Sequence, residues 1–205
     1  MDAKTGPGVA AAKGKRRNKG ELLVQSMQEL LWERGYAGAT PAEVQRRAGA
    51  GQGSMYHFFR GKAELARAAE LGMGEDLKRE VEQRFAGRRS LLERIEAYLA
   101  PDGVVTRGCR LGRLVQEEEV ASSPELMAPI AETYGWIQER LEAVLAEGVE
   151  RGELRPEVDV RALAVAILAI RQGAYTLARL ADSDEPFRQS VKAVSQLLET
   201  ARPER

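Results

Sequence analysis

Residues 40–62 carry the sequence TPAEVQRRAGAGQGSMYHFFRGK, which indicates the fold more strongly than any other part of the chain. It begins with Thr40 followed by Pro41, a pair typical of a helix N-cap and its first turn. The apolar spacing that follows predicts a short helix over about 41–48. A connector of about four residues, rich in glycine, leads to a second short helix over about 53–59. Two short helices joined in this way have the geometry of a helix-turn-helix.

The second short helix has a polar side and an apolar side. Ser54 and His57, with Gln52 beside them, form the polar side, and Met55, Phe58 and Phe59 form the apolar side. A recognition helix needs this division, because its apolar side fixes it in the domain while its polar N-terminal side reaches base edges in the major groove.

The rest of the chain is predicted to be helical as well. Apolar residues at helical spacing indicate a support helix over about 19–35. Further helices are predicted over about 62–85 (with a possible bend at Gly72 and Gly74), 90–100, 107–119, 124–151 and 159–180, and from a cap at 182–184 to about 201. No stretch alternates with period two for more than a few residues. We therefore predict an all-α chain of about nine helices, in which a three-helix N-terminal domain precedes a larger helical domain.

Charge is divided unequally along the 205 residues. Residues 1–62 hold 11 Lys and Arg against 5 Asp and Glu, whereas residues 63–205 hold 20 against 26. A basic third on an acidic body indicates that one end meets a polyanion. Residues 1–17, basic and rich in Gly and Ala, are predicted to be a disordered arm, either solvated or in contact with phosphates. The predicted domains are this arm, a DNA-binding domain over 18–62, and a sensing and dimerisation domain over 63–205.

Several classes of function are disfavoured. One Cys excludes an intrachain disulfide, and one His argues against a His-rich metal site. The body has no nucleophile–base motif, phosphate loop or metal-ligand spacing, so we expect no enzyme activity, catalytic residue, metal or cofactor. The longest apolar run, 162–170, is far shorter than the roughly 20 residues that span a bilayer. The N-terminus lacks the apolar segment of a secretory signal, so we expect a cytoplasmic protein without a membrane partner.

The helix-turn-helix region resembles the TetR family of transcriptional repressors. The matching residues are Glu33-Arg34-Gly35-Tyr36, Thr40, Ala48-Gly49, the run from Gly53 to Phe59, and Lys62. They fall within residues 19–65, about a quarter of the chain. The resemblance implies a homodimeric repressor that binds a palindromic double-stranded DNA operator and is released by a small-molecule effector. The sequence leaves open whether the regulator represses or activates.

The resemblance also implies roles for individual residues. Those expected to contact DNA phosphates are Thr40, Tyr56, His57 and Lys62. Those expected to approach base edges are Gln52, Gly53 and Ser54. A glutamine side chain suits adenine, through N6 and N7. Gly51 stands where the family usually has Ser or Thr, which predicts a weak cap for the recognition helix.

The last two predicted helices favour a dimer. Apolar residues surround the first half of the helix over 159–181, which indicates burial on more than one side. The final helix adds an apolar stripe of Val191, Val194, Leu197 and Leu198. Two such helices from each subunit would form a four-helix interface. The alternative is a monomer in which the apolar helix is wholly internal.

A ligand pocket is predicted between the last two long helices of the body. Arg171 and Gln172 interrupt an apolar helix, and Tyr175 follows one turn later. Tyr134 and Ile137 lie on the preceding long helix. A few polar groups among apolar and aromatic walls suit a small ligand. The alternative is that Arg171 and Gln172 pair within a dimer interface.

Cys109 is a candidate sensor. It lies among Arg107, Arg110 and Arg113 in a predicted helix, and nearby cations and a helix N-terminus favour the thiolate. The segment GCRLGRLVQE, residues 108–117, resembles the branch of TetR repressors that controls N-ethylmaleimide reductase, which implies sensing of electrophiles and oxidants. The alternative is an inert buried cysteine.

The resemblance and the order of the helices together imply how the regulator would switch. A ligand, or modification of Cys109, would shift the dimer to a form with wrongly spaced recognition helices, and the fourth predicted helix would carry the change. The rival function is a helical interaction or small-molecule-binding module without specific operator binding.

Overall fold

A computed structural model describes residues 18–51, 53–87, 90–101 and 103–204, and over these residues the chain forms helices and no strands. The predicted all-α class is confirmed. The α-helices are α1 (Lys19–Gly38), α2 (Pro41–Arg47), α3 (Lys62–Phe85), α4 (Leu91–Leu99), α5 (Glu118–Ala121), α6 (Pro124–Glu150), α7 (Val160–Ala181) and α8 (Glu185–Thr200). Short 3-10 turns occur at Ser54–His57, Val105–Arg107 and Leu114–Gln116. The predicted arm over 1–17 and Gln52 lie outside the described residues.

Local signals set most helix starts. The side chains of Thr40, Ser123 and Asp159 each accept a hydrogen bond from a backbone N–H in the first turn of α2, α6 and α7 respectively. These bonds satisfy N–H groups that have no partner within the helix. Ser90 forms a reciprocal capping box with Glu93 at the start of α4. The predicted starts of these helices therefore agree with the structure.

Two predicted helices are different in the structure. The recognition segment forms a 3-10 turn over only Ser54–His57, preceded by Gly53 in the left-handed conformation with φ of 86°. The prediction of a helix over 107–119 is wrong, since two 3-10 turns and α5 occupy this part of the chain. Tertiary packing overrides helix propensity there: an added Cβ at Gly112 would lie 2.4 Å from the Gln172 side-chain oxygen.

Helix α3 is continuous from Lys62 to Phe85, so its internal glycines do not mark a bend. Gly74 instead allows a close approach to α6, because an added Cβ would lie 2.4 Å from Oγ1 of Thr133. Gly72 likewise allows a close approach to α1, because an added Cβ would lie 2.4 Å from Nε2 of Gln28.

Helix α3 connects two cores. Its first half, with Leu65, packs into a cluster formed by α1, α2, the recognition segment and the start of α6. Its second half, with Phe85, packs into a cluster formed by α4, α6, α7 and α8. Leu77 contacts both clusters. Full burial of each such side chain contributes about 1.5–3 kcal/mol, so the helix-turn-helix is held firmly to the body.

Helix α7 is the most apolar helix in the described part of the chain. By length and composition alone it meets the test for a membrane-crossing helix, which core helices of globular proteins also meet. Only 28% of its most apolar 18-residue window is buried within one chain. Much of its apolar surface is therefore uncovered in a single chain.

Candidate nucleic-acid interface and sensor cavity

Gln45 ties the two halves of the helix-turn-helix together. Its Oε1 accepts a hydrogen bond of 2.9 Å from the backbone N–H of Gly53, and its Nε2 donates to the carbonyl of Pro41 at 3.2 Å. The side chain is almost wholly buried. Gln45 therefore fixes where the recognition segment begins. Sequence reasoning missed it, although a polar residue beside Val44 on the inward side of a short helix was a usable signal.

The recognition segment presents polar side chains outward and anchors itself through one apolar residue. Met55 is fully buried, whereas Tyr56 is 62% exposed and His57 is also exposed. Neither outward side chain has a hydrogen bond or ion pair with another described residue. Ser54 is partly buried, and Gly53 is exposed in its left-handed conformation. Of the predicted apolar side, Met55 is buried and Phe59 is partly buried, but Phe58 is 43% exposed, so the prediction is wrong for Phe58.

Thr40 and Lys62 each have a contact within the fold. Oγ1 of Thr40 accepts a 3.3 Å hydrogen bond from the N–H of Glu43 and thereby caps α2. Nζ of Lys62 lies 4.0 Å from the centroid of the Tyr36 ring, at the start of α3. This cation–π contact holds the lysine in place while leaving its positive charge available to an anion.

Ion pairs fix α2 on α1. The two terminal guanidinium nitrogens of Arg47 bind carboxylates of α1: Nη2 lies 2.7 Å from Glu33 and Nη1 lies 3.3 Å from Glu29. The Arg47 hydrogen bond is the main cause of the lowered pKa of Glu33. These are surface pairs worth at most about 1 kcal/mol each, so they orient α2 more than they stabilise it.

A cavity of about 550 Å³ opens between α1, the segment after α4 and helix α7. Residues lining it include Cys109, Gln172 and Tyr175. A much smaller pocket adjoins this cavity at Cys109 and is also lined by Arg171 and Trp32. Cys109 is therefore a wall residue of both spaces, although its side chain is mostly buried.

The thiol of Cys109 contacts a tyrosine hydroxyl. Its Sγ lies 3.1 Å from the hydroxyl oxygen of Tyr134 on α6. Burial raises the pKa of Tyr134 well above its ordinary value, and the neighbouring Cys109 raises it further. The tyrosine therefore keeps its proton at neutral pH and can donate a hydrogen bond to sulfur. At the smaller pocket, Nη2 of Arg171 lies 3.4 Å from the hydroxyl of Tyr175.

The structure brings together most, but not all, of the predicted sensor residues. Cys109, Tyr134, Arg171, Gln172 and Tyr175 lie around the two adjoining spaces. Ile137 does not, because it is fully buried in the second core.

The surroundings of Cys109 also differ from the prediction. No helix begins at this residue, which follows a 3-10 turn. The nearby arginines are directed at Trp32: the guanidinium carbon of Arg107 lies 3.6 Å from the ring centroid and that of Arg110 lies 5.1 Å from it. Nη1 of Arg113 donates to the Trp32 carbonyl.

Comparison with known proteins identifies both parts of this architecture. Residues 28–69 match the family described as bacterial regulatory proteins, tetR family. Residues 87–194, more than half of the chain, match the tetracyclin repressor-like C-terminal domain. Transcriptional regulator AcuR of Cereibacter sphaeroides is 29% identical over 174 residues, which cover 82% of this chain and 79% of that protein.

Solved structures agree. Regulatory protein TetR from Rhodobacter sphaeroides superposes with a TM-score of 0.78 at 27% identity, over 86% of this chain and 96% of that one. The reduced form of NemR from E. coli superposes with a TM-score of 0.76 at 23% identity, over 86% and 94% of the two chains, and so shares the fold. With a helix-turn-helix at one end and the matching helical body at the other, the chain belongs to the TetR family of DNA-binding transcriptional regulators.

Proposed function

We propose that the protein is a homodimeric cytoplasmic repressor that binds a palindromic operator and leaves it when an effector or an electrophile acts on the body. The observation that carries this proposal is the position of the 550 Å³ cavity, which is lined both by α7 of the body and by Arg34 on α1, the support helix of the helix-turn-helix domain. A ligand in the cavity would therefore contact the DNA-binding domain directly, through Arg34.

The proposed DNA contacts follow from exposure and charge. Thr40, Tyr56, His57 and Lys62 would hold phosphates, and Gln52, Gly53 and Ser54 would approach base edges. The high exposure of Tyr56 and the position of Lys62 at the start of α3 support these roles. Phosphate contacts would fix the register of the domain on the duplex, and base contacts would supply the sequence preference. The division into domains at residue 62 belongs to the same proposal.

A dimer is supported by uncovered apolar residues on α7 and α8. Val165, Leu177 and Leu180 on α7 and Leu197 on α8 are all exposed in a single chain. Packing these two helices against the same pair in a second copy would remove this surface from water. A twofold dimer also places two recognition segments about 34–36 Å apart, as successive major grooves require.

Two kinds of signal suit the body. The cavity has room for a small molecule, with Arg171, Gln172 and Tyr175 offering polar groups on or beside its walls. Covalent modification of Cys109 is the second route, and the neutral Tyr134 hydroxyl beside the sulfur supports it by offering a donor to a thiolate. Either event would displace the segment that contacts Trp32.

The proposal is tested by selecting purified full-length protein against random duplexes and sequencing the bound pool. We expect an enriched inverted repeat, with binding that weakens steeply as salt rises because phosphate contacts release counterions. An absence of enrichment with a folded dimer at low salt would overturn operator binding and favour an interaction module. Release of the selected duplex is then measured with N-ethylmaleimide, using Cys109→Ser as the control.

A further inference from the structure

Three guanidinium groups line the 550 Å³ cavity. They belong to Arg34 on α1, Arg113 in the segment after α4, and Arg179 in the last turn of α7. Among the described lining residues, the only carboxylate is that of Glu117, which accepts a hydrogen bond of 3.2 Å from the backbone N–H of Ala37. The lining therefore carries an excess of positive charge, and its single acid is engaged with the end of α1.

These arginines are not neutralised by ion pairs of good geometry. The side chain of Arg179 makes no hydrogen bond or ion pair with the described residues. Arg113 donates to a neutral acceptor, the carbonyl of Trp32. Arg34 lies 3.6 Å from Glu43, which is itself bound more closely by Arg46. Burial, and next the charge of Arg179, lower the pKa of Arg113, as expected where two cations crowd together.

A second, independent observation concerns Gln172. It lines the same cavity, and its amide nitrogen Nε2 is buried without an acceptor among the described residues. A buried N–H donor left without a partner costs about 1–3 kcal/mol. Because the Gln172 residue lines the cavity, a rotation of its amide would bring Nε2 to an oxygen atom of a ligand, which would satisfy it. The cavity thus offers hydrogen-bond donors and positive charge, with the ring of Tyr175 as an apolar wall.

We propose that this cavity binds a small organic anion, with its carboxylate or phosphate group between Arg113 and Arg179 and an oxygen accepting from Gln172. This inference rests on the proposed role of the cavity as the effector site and names the class of the effector. Carboxylates and phosphates accept paired hydrogen bonds from guanidinium groups. These charge-assisted pairs are among the strongest hydrogen bonds in proteins. A cationic ligand would add to the electrostatic repulsion between Arg113 and Arg179, and a neutral ligand would leave that repulsion unchanged.

The position of Arg34 gives the anion a regulatory effect. Arg34 belongs to the helix-turn-helix end and Arg179 belongs to the body, so a negative charge in the cavity attracts groups from both. An anion that also draws Arg34 toward the cavity lengthens its contact with Glu43 on α2. Occupancy is thereby linked to the placement of α2 relative to α1.

The experiment measures binding of three probes to the full-length protein by titration calorimetry at low ionic strength. The probes are 3-phenylpropionate, its neutral amide 3-phenylpropanamide, and phenyl phosphate. We expect the acid to bind at least about tenfold more tightly than the amide, because a charge-assisted pair is worth more than a neutral hydrogen bond. Comparison of the acid with phenyl phosphate distinguishes a carboxylate ligand from a phosphate ligand.

Arg179→Gln and Arg113→Gln are each expected to weaken the charged probes about tenfold while leaving the amide unchanged. Arg179 is exposed and makes no hydrogen bond or ion pair with the described residues, so this variant is expected to fold normally. Arg161→Gln is the matched control, since it removes the same charge from an exposed position in the first turn of the same helix. It is expected to change nothing.

Equal binding of acid and amide, no saturable binding of either charged probe into the millimolar range, or equal loss in the Arg161 control would each overturn the anion site. Because no DNA is present, this failure is distinct from that of the proposed function. If an operator is selected but the acid is not preferred over the amide, only the anion-site proposal is contradicted. A preference for the acid without operator selection removes only the repressor function.

Discussion

The guanidinium group of Arg107 stacks on the Trp32 ring, with 3.6 Å between its carbon and the ring centroid, so the segment that carries Cys109 holds α1 directly. The indole N–H of Trp32 also donates to the carbonyl of Gly108 at 3.1 Å, and Arg113 donates to the Trp32 carbonyl. With the guanidinium group of Arg110 also 5.1 Å from the ring centroid, Trp32 on the support helix has four contacts with residues 107–113. The DNA-binding domain and the body therefore contact each other directly at Trp32, whereas helix order alone predicts that they are coupled through α3.

Loosening this link should lower stability in a way that reveals coupling. Arg107→Gln removes the cation–π contact and Trp32→Phe removes the indole donor, and each is expected to lower the free energy of unfolding by about 0.5–1.5 kcal/mol. The double variant should lose less than the sum, since Trp32→Phe also weakens the cation–π contact that Arg107→Gln removes. Urea unfolding measures all four proteins. Strict additivity would show that Arg107 and Trp32 act independently.

The Arg107–Trp32 contact also marks the limit of sequence reasoning. Thr40, Ser123 and Asp159 could be recognised as caps because a cap depends on residues within one turn. Trp32 and Arg107 are far apart in sequence, and nothing local predicts that they meet. The wrong helix over 107–119 has the same origin, because close approach of Gln172 and Tyr134 to Gly112 determines the backbone there.

Buried polar residues are the second feature that the sequence pattern does not predict. Gln45 and Glu70 occupy inward positions of amphipathic helices, where a binary polar–apolar pattern assigns them to the surface. Ile137 shows the converse error, since an apolar residue near a predicted pocket is more often part of a core. The exposed Tyr56 and His57 could be predicted because the recognition segment is short and its apolar anchor, Met55, is adjacent.

Substitution at Gly74 tests the contact between α3 and α6. Gly74→Ala places a Cβ 2.4 Å from Oγ1 of Thr133, a buried side chain that donates to the Pro129 carbonyl. We expect a loss of about 1–3 kcal/mol in the free energy of unfolding, as for other overpacked cores. Gly135→Ala on α6, where an added Cβ meets open space, is the control and should gain up to about 1 kcal/mol. Equal effects would contradict close packing at Gly74.

Glu70 should make stability depend on pH. It is fully buried in the first core, both its carboxylate oxygens lack a partner among the described residues, and burial raises its pKa from 4.5 to about 8. As pH rises above 4.5, the unfolded chain loses this proton while the folded chain keeps it, so the free energy of unfolding falls until about pH 8. The fall is at most about 5 kcal/mol.

Glu70→Gln removes this titration while keeping the size of the side chain. The variant should be more stable than the parent at pH 8, and the difference between them should shrink toward pH 5. Chemical denaturation at several pH values measures this difference, with Glu139→Gln at an exposed position of α6 as the control. Parallel pH profiles for parent and Glu70→Gln would show that the carboxylate has an ordinary pKa.

Variants of the recognition segment should separate phosphate contacts from base contacts. Tyr56→Ala and Lys62→Ala are expected to weaken binding to all duplexes alike, and loss of the lysine should lower the salt slope by about one. Gln52→Ala should instead change the preferred sequence. Fluorescence anisotropy on the selected operator and a scrambled duplex measures both effects. Lys192→Ala, an exposed charge on α8, should leave binding unchanged, and a comparable loss there would contradict the assignment.

Leu180 offers the sharpest test of the dimer. It lies near the end of α7 and is 79% exposed in a single chain, the largest exposure among the large apolar residues of the described part. If α7 and α8 pair with a second copy, Leu180→Glu places a charge without a partner in a desolvated interface, which typically costs several kcal/mol. Sedimentation should then show monomers at concentrations where the parent is a dimer.

Val104→Glu makes the same chemical change at an apolar residue that is 59% exposed and lies outside α7 and α8. This control should remain dimeric. The monomeric Leu180 variant should also lose affinity for the inverted repeat while keeping weak binding to a half-site, because one recognition segment then makes half of the contacts. A dimer that persists in Leu180→Glu but dissociates in Val104→Glu would move the interface away from α7 and α8.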